Sequence, residues 1–211
     1  MARIDALNGH EALSAALMAS PRPSEYFRGL LSDGRLAGMF PELAACVGVP
    51  QNPAYHPEGD VFDHTMLVVD SAAALRDRAE WPLGFMLSAL AHDFGKAVAT
   101  RVDAESGKIT SYGHEVAGLP LCEAFVRRLS GDGELAEYVK NMVWLHMRPN
   151  VMAKARSKKN RTRRLFGLSV CPEDLILLSR ADASGKLDAP YDEGLEAFLR
   201  ERLEDFLKYT Y

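Results

Sequence analysis

FMLSALAHDFGK, residues 85–96, is the stretch on which the reading of this chain turns. Phe85, Met86, Ala89 and Leu90 recur at the spacing of a helix face and lead, one and two turns on, to His92 and Asp93. The apolar run around them reads as a buried helix. A histidine and a carboxylate on such a face need a compensating partner, because unpaired buried charge is costly. A divalent metal is one such partner.

Working outward, other segments break an apolar helical face in the same way. His64 is flanked by Val61, Leu67 and Val68 at i−3, i+3 and i+4. His146 follows Val139, Met142 and Val143. Asp182 follows Leu175 and Leu178, and His114 stands in SYGHE at an expected helix start. Taken singly, each has an ordinary explanation. A buried histidine commonly donates to a backbone carbonyl, and an inward aspartate caps a helix or pairs with an arginine, for which Arg180 is at hand. Taken together, five segments each needing its own partner are satisfied by one metal cluster. Mixed imidazole and carboxylate donors suit Mg, Mn, Fe, Co, Ni or Zn, and the lack of thiolates argues against a structural zinc site.

The rest of the chain bounds the fold. It has 211 residues, 47% of them apolar, enough for one well-buried domain. Helical periodicity recurs at 11–18, 24–32, 35–46, 61–79, 82–95, 114–130, 134–147, 161–168, 173–184 and 192–208. Prolines 21, 23, 41, 50, 53 and 57 with Gly34 cut the first third into short helices and turns, and Gly131 and Gly133 separate two helices. Pro172 fits a helix start and Gly185 its end. The expectation is all-α: a compact helical bundle with at most a small β-hairpin arm near 99–111. Residues 1–55 form a helical lead-in, 56–186 the metal-binding core, and 187–211 an amphipathic helix. That helix packs on the core through Leu195, Phe198, Leu199, Leu203, Phe206 and Leu207.

Charge and cysteine usage point to partners and compartment. The net charge of −4 hides eight basic and no acidic residues between Arg148 and Arg164, against 29 acidic residues in the chain as a whole. A basic stretch on an acidic body suggests a specific anionic partner. Lys154, Arg156, Lys158, Lys159 and Arg161 are placed to follow an RNA or tRNA backbone, or else to form a solvated loop; no aromatic residue is interleaved for base stacking. Cys46, Cys122 and Cys171 make no metal-ligand pair and no disulfide framework, which suits a reducing cytoplasm. No signal peptide and no membrane-spanning run is visible, so no membrane role is expected.

The order His64 … His92-Asp93 … Asp182 resembles the signature of the HD-domain metal-dependent phosphohydrolases. HPEGDVFDHT (56–65), HDFGK (92–96), YGHE (112–115), LHMRP (145–149) and RRLFGLSVCPEDLILLSRADASGK (163–186) narrow the resemblance. With FPELAACVGVPQNPAYHPEGD (40–60) they look like the C-terminal HD half of bacterial tRNA nucleotidyltransferases, the CCA-adding enzymes. The likeness runs from about residue 24 to 186. It implies that His64, His92, Asp93 and Asp182 hold a first metal, and that Asp93 bridges to a second held by His114 and His146. It implies a metal-activated water as nucleophile on 2′,3′-cyclic nucleotides, 2′-nucleotides, other phosphomonoesters or RNA terminal phosphates. Asp93 and Lys96 are then the catalytic candidates, and Lys96, Arg148, Arg163 and Arg164 the substrate-binding ones. His56, Glu58 and Asp60 form a second polar cluster, either orienting a ligand or, for Asp60, capping the next helix; His56 and His10 read as ordinary histidines. Nothing in the chain matches the family's nucleotidyltransferase head, so CCA polymerisation is not expected. Two other readings stay open. One is a different HD hydrolase, acting on deoxynucleoside triphosphates or guanosine tetraphosphate. The other is a non-catalytic tRNA- or nucleotide-binding module, or half of a split enzyme that docks a separate nucleotidyltransferase head. Oligomeric state is left undetermined.

Overall fold

A computed structural model of the protein describes the backbone of residues 2–185 and 191–210, and the side chains of 11–185 and 191–209. His10 and the limit expected at 186 between core and C-terminal helix lie outside the described side chains. The helices in order are α1 (Ala2–Ala19), α2 (Ser24–Ser32), α3 (Leu36–Met39), α4 (Pro41–Ala44), α5 (Val61–Ala73), α6 (Pro82–Ala91) and α7 (Lys96–Ala99). A two-stranded antiparallel arm follows, β1 (Arg101–Val102) with β2 (Ile109–Thr110), pairing Arg101 with Thr110 and Val102 with Ile109. Then come α8 (His114–Ala117), α9 (Leu119–Ser130), α10 (Gly133–Leu145), α11 (Met147–Lys154), α12 (Lys159–Leu168), α13 (Pro172–Ser184) and α14 (Glu193–Thr210). The molecule is all-α with the small hairpin arm, as the periodicity implies.

The element at the centre is α6. Every residue from Gly84 to Ala91 is buried, the mark of a helix apolar on all sides and enclosed by others. It packs against α1, α5, α10 and α13. Its start is tied down by Asp174, itself fully buried, whose carboxylate accepts from the Glu80 and Trp81 amides at 2.8 and 3.0 Å and from the Tyr138 hydroxyl. One side chain of α13 thus joins the starts of α6 and α13 to α10. These three helices carry four of the expected ligands at or near their other ends.

Boundaries depart from the periodicity where proline and glycine intervene. The helix expected at 35–46 is two single turns, since Pro41 opens α4 at its first position. The helix expected at 114–130 breaks at Gly118, and Pro120 fits the first turn of α9, where a missing N–H costs nothing. The helix expected at 82–95 ends at Ala91, so His92 and Asp93 stand on the turn after it. The stretch 148–154 was not expected to be helical. Pro149 reads as a breaker, yet it occupies the first turn of α11. The basic run is therefore not an open loop but two helices, α11 and α12, joined by residues 155–158.

The C-terminal helix packs as its stripe implies: Leu195, Phe198, Leu199 and Leu203 are buried and Phe206 lies against the core, although Leu207 is exposed. Glu196, buried within that face, binds Arg78, Arg180 and Arg200 at 2.9, 2.5 and 2.7 Å. Arg180 is thereby engaged with Glu196 and Glu193 rather than with Asp182. The three cysteines are free and buried. Among the described residues no helix is long and apolar enough to cross a membrane.

Candidate metal centre

Five segments bring the six expected ligand residues to one place. His64 comes from the first turn of α5, whose N-cap is Asp60, accepting from the Asp63 amide at 2.8 Å. His92 and Asp93 follow α6, His114 opens α8, His146 caps α10, and Asp182 lies in the last turn of α13. Two glycines make this convergence possible. Gly113 takes a left-handed backbone (φ 75°) that turns the chain from the hairpin arm into His114. Gly95 lets the turn carrying Asp93 lie directly on α8: a Cβ there would stand 1.9 Å from the His114 carbonyl oxygen and 2.6 Å from the Gly118 nitrogen.

The side chains form two trios, His64–His92–Asp182 and Asp93–His114–His146. Within each trio the ligand atoms lie within 4.8 Å of one another. The Asp93 carboxylate spans them. Its Oδ2 is 3.2 Å from His92 Nε2 and 3.9 Å from His64 Nε2, while its Oδ1 is 3.2 Å from His114 Nε2 and 3.9 Å from His146 Nε2. His64 Nε2 stands 3.1 Å from Asp182 Oδ1.

The outer ring nitrogens fix the orientation of the rings. His92, His114 and His146 place Nδ1 at 2.8, 2.8 and 2.6 Å from the carbonyl oxygens of Ala89, Ser111 and Val143. His64 Nδ1 faces Glu58 Oε1 at 2.8 Å. Carbonyl and carboxylate oxygens only accept, so each Nδ1 carries a proton and each ring turns its Nε2 inward. His114 Nε2 and His146 Nε2 consequently face each other at 3.4 Å, a contact that a proton or a metal ion between them would satisfy. His92 Nε2 and both Asp93 oxygens are buried without a well-directed hydrogen bond. Inward ring nitrogens and two inward carboxylates, that of Asp93 orphaned, with outer nitrogens held by fixed acceptors, are the donor set and supporting shell of a divalent-ion site. The residues present therefore fit such a group.

Electrostatics of the cluster agree with strong internal coupling. Burial works against charge on Asp93, but Lys96 and His92 hold its carboxyl well below the usual range. Against the same penalty His64 and His92 lower Asp182. Burial disfavours charge on His64 too, yet Asp182 and Glu58 push it up to about 9. His146, fully enclosed and close to His92, falls to about 4.

The surroundings separate the remaining candidates. Lys96 is nearly buried, with Nζ 2.7 Å from Asp93 Oδ2 and 2.7 Å from Gln51 Oε1. It borders a cleft of about 600 Å³ that opens onto His114. Arg148 is not on that cleft; its guanidinium lies over the Trp144 ring at 4.7 Å. Arg163 is committed to Asp205 (2.8 Å) and the Tyr209 ring (3.7 Å), and Lys159 to Asp205 (2.7 Å), whereas Arg164 is exposed. His56, read as ordinary, shares Glu58 Oε1 with His64 at 2.8 Å and sets its ring against that of His64 at 4.8 Å. Gln51 was not singled out from sequence. Its role depends on a contact across 45 residues, and no local pattern announces it.

No protein-family model matches the chain. Curated relatives do. It is 32% identical over 198 residues to the multifunctional CCA protein of Alkalilimnicola ehrlichii, a match covering 90% of this chain and 45% of that protein. It is 31% identical over 175 residues to the one of Actinobacillus pleuropneumoniae, covering 80% and 41%. It is 44% identical over 108 residues to the one of Ralstonia nicotianae, covering 51% and 23%. The chain spans less than half the length of these relatives, and it is related by sequence to that portion of the multifunctional CCA proteins.

Proposed function

We propose that the chain is a divalent-metal-dependent phosphohydrolase of the HD type, acting on nucleotide phosphoesters. Candidate substrates are 2′,3′-cyclic nucleotides, 2′-nucleotides, other phosphomonoesters and RNA terminal phosphates. One observation carries the reading: a buried carboxylate, Asp93, presents one oxygen to each of two histidine groups whose Nε2 atoms all face inward. His64, His92, Asp93 and Asp182 would hold one ion, and Asp93, His114 and His146 a second. Bound ions would supply Lewis-acid stabilisation of phosphoryl oxygens and a water acidic enough to act as nucleophile near neutral pH.

The chain's own residues do the rest. Lys96 stands where the cluster meets the cleft and offers an ammonium to a phosphate oxygen entering from it. Gln51 holds that ammonium in place. Glu58 keeps the proton of His64 on Nδ1, and the Ser111, Ala89 and Val143 carbonyls do so for the other rings. The cleft reaches the cluster at Lys96 and His114.

A second reading keeps its place because of the relatives: a tRNA 3′-end as the bound molecule, recognised by a portion of a larger tRNA-processing assembly. The exposed cations Lys154, Lys158, Arg161 and Arg164 would serve it. Turnover separates the two. Stripped protein resupplied with Mg, Mn, Co or Ni is assayed on 2′,3′-cyclic AMP, 2′-AMP and a model phosphomonoester, with Asp93→Ala as control. Metal-dependent release lost in the variant supports the hydrolase. Metal binding with no release on any substrate favours the tRNA-binding reading.

A further inference from the structure

Two features of the cleft are not used by the reaction chemistry. Tyr55 and Tyr112 both line it, and they are 68% and 84% exposed. They stand among the most exposed large side chains of the described residues and share the cleft lining with Lys96 and His114. Each is anchored close to the metal centre by its neighbours in sequence. Tyr112 lies between Ser111, whose carbonyl accepts from His114 Nδ1, and the left-handed Gly113. Tyr55 precedes His56, which shares Glu58 with His64. The backbone at both tyrosines is therefore positioned by the same contacts that orient the ligands, while their rings stay uncovered.

A bare phosphate needs only Lys96 and the ligand cluster. Two uncovered aromatic rings beside them suit a flat, partly apolar group joined to that phosphate. Lys108, also on the lining, adds a second positive charge at the rim. We infer that Tyr55 and Tyr112 form a base-binding wall, so that the cleft takes a nucleoside phosphate whose base stacks on tyrosine while its phosphate reaches Lys96. This rests on the phosphohydrolase reading for the identity of the phosphate end, and it adds what selects the leaving group. Every base offers a π-face, so the wall favours nucleotides over baseless phosphoesters without choosing strongly among bases.

The test compares 2′-AMP with glycerol 2-phosphate in Tyr55→Ala, Tyr112→Ala and the double variant, with Tyr→Phe at each site as the ring-keeping control. Both KM and kcat are measured, and binding of the same two compounds is followed by calorimetry. Alanine is expected to weaken 2′-AMP by about 5- to 100-fold in KM and in binding. Phenylalanine should restore near wild-type values, kcat should hold, and glycerol 2-phosphate should be unaffected. Equal losses on both compounds, or no loss on 2′-AMP, overturn the inference. If the wild type turns over neither compound, the hydrolase reading fails and the binding arm still decides. A tyrosine-dependent preference for 2′-AMP upholds the wall, and the lack of one removes it.

Discussion

Replacing Glu58 tests whether the outer contacts of the cluster tune a metal. Its side chain is 1% exposed, and Oε1 takes the Nδ1 protons of His64 and His56, each at 2.8 Å. Against burial, these two hydrogen bonds hold the carboxyl down at about 2, so it acts on the rings as an anion at any working pH. Glu58→Gln keeps the volume and an acceptor but removes the charge. A hydrogen bond to a charged group contributes about 1.5–3 kcal/mol and a neutral one about 1 kcal/mol. The difference lowers the basicity of His64 Nε2, and the expected loss of metal affinity is about 10-fold, or about 1.4 kcal/mol. Glu58→Ala goes further, because it leaves a buried N–H unpaired and frees the ring to turn; the expected loss is nearer 100-fold. Calorimetric titration with Mn or Co, with circular dichroism to verify folding, reads both. Folded variants that bind within twofold of the wild type would refute the role given to Glu58.

Two further outcomes follow from the packing. Gly95→Ala drives a methyl group into the α8 backbone, and overpacking of this kind costs about 1–3 kcal/mol or more; urea unfolding should show at least about 2 kcal/mol lost, and a change below about 0.5 would show that α8 yields freely. Glu196 is held at about 2, below its usual 4.5, by Arg180, Arg200 and Arg78 against the cost of burial. Its contribution is therefore complete above about pH 4.5 and lost as pH falls toward 2. Glu196→Gln should destabilise the protein by about 2–3 kcal/mol at pH 7, and the gap to wild type should narrow on acidification. A gap that stays constant down to pH 3 would contradict the ion cluster.

What the sequence made legible was what repeats with helical period. His64, His146 and Asp182 each interrupt an apolar stripe, so their inward direction could be read locally, and the C-terminal stripe likewise. The hairpin arm was marked by the gap in helical periodicity near 99–111. Less legible was anything set by contacts between distant segments. The break of 114–130 at Gly118 and the helical start at Met147 both involve a proline that fits a first turn as well as it ends a helix. Arg163 looked free for substrate, because its partner Asp205 lies 42 residues away on α14. Gln51 and Tyr112 carry no periodic signal. Tyr112 directly precedes the GHE string, and that adjacency was the only available hint.

The central claim is that this cluster binds divalent ions through Asp93. Stripped protein dialysed against Mn, Co or Ni and measured by mass spectrometry of the metal addresses it without assuming any substrate. The expected result is up to two ions retained per chain. One of them should be lost in His114→Ala, and both lost or weakened more than 100-fold in Asp93→Ala. A wild-type protein that retains none of these ions above the buffer level, while correctly folded, would contradict it.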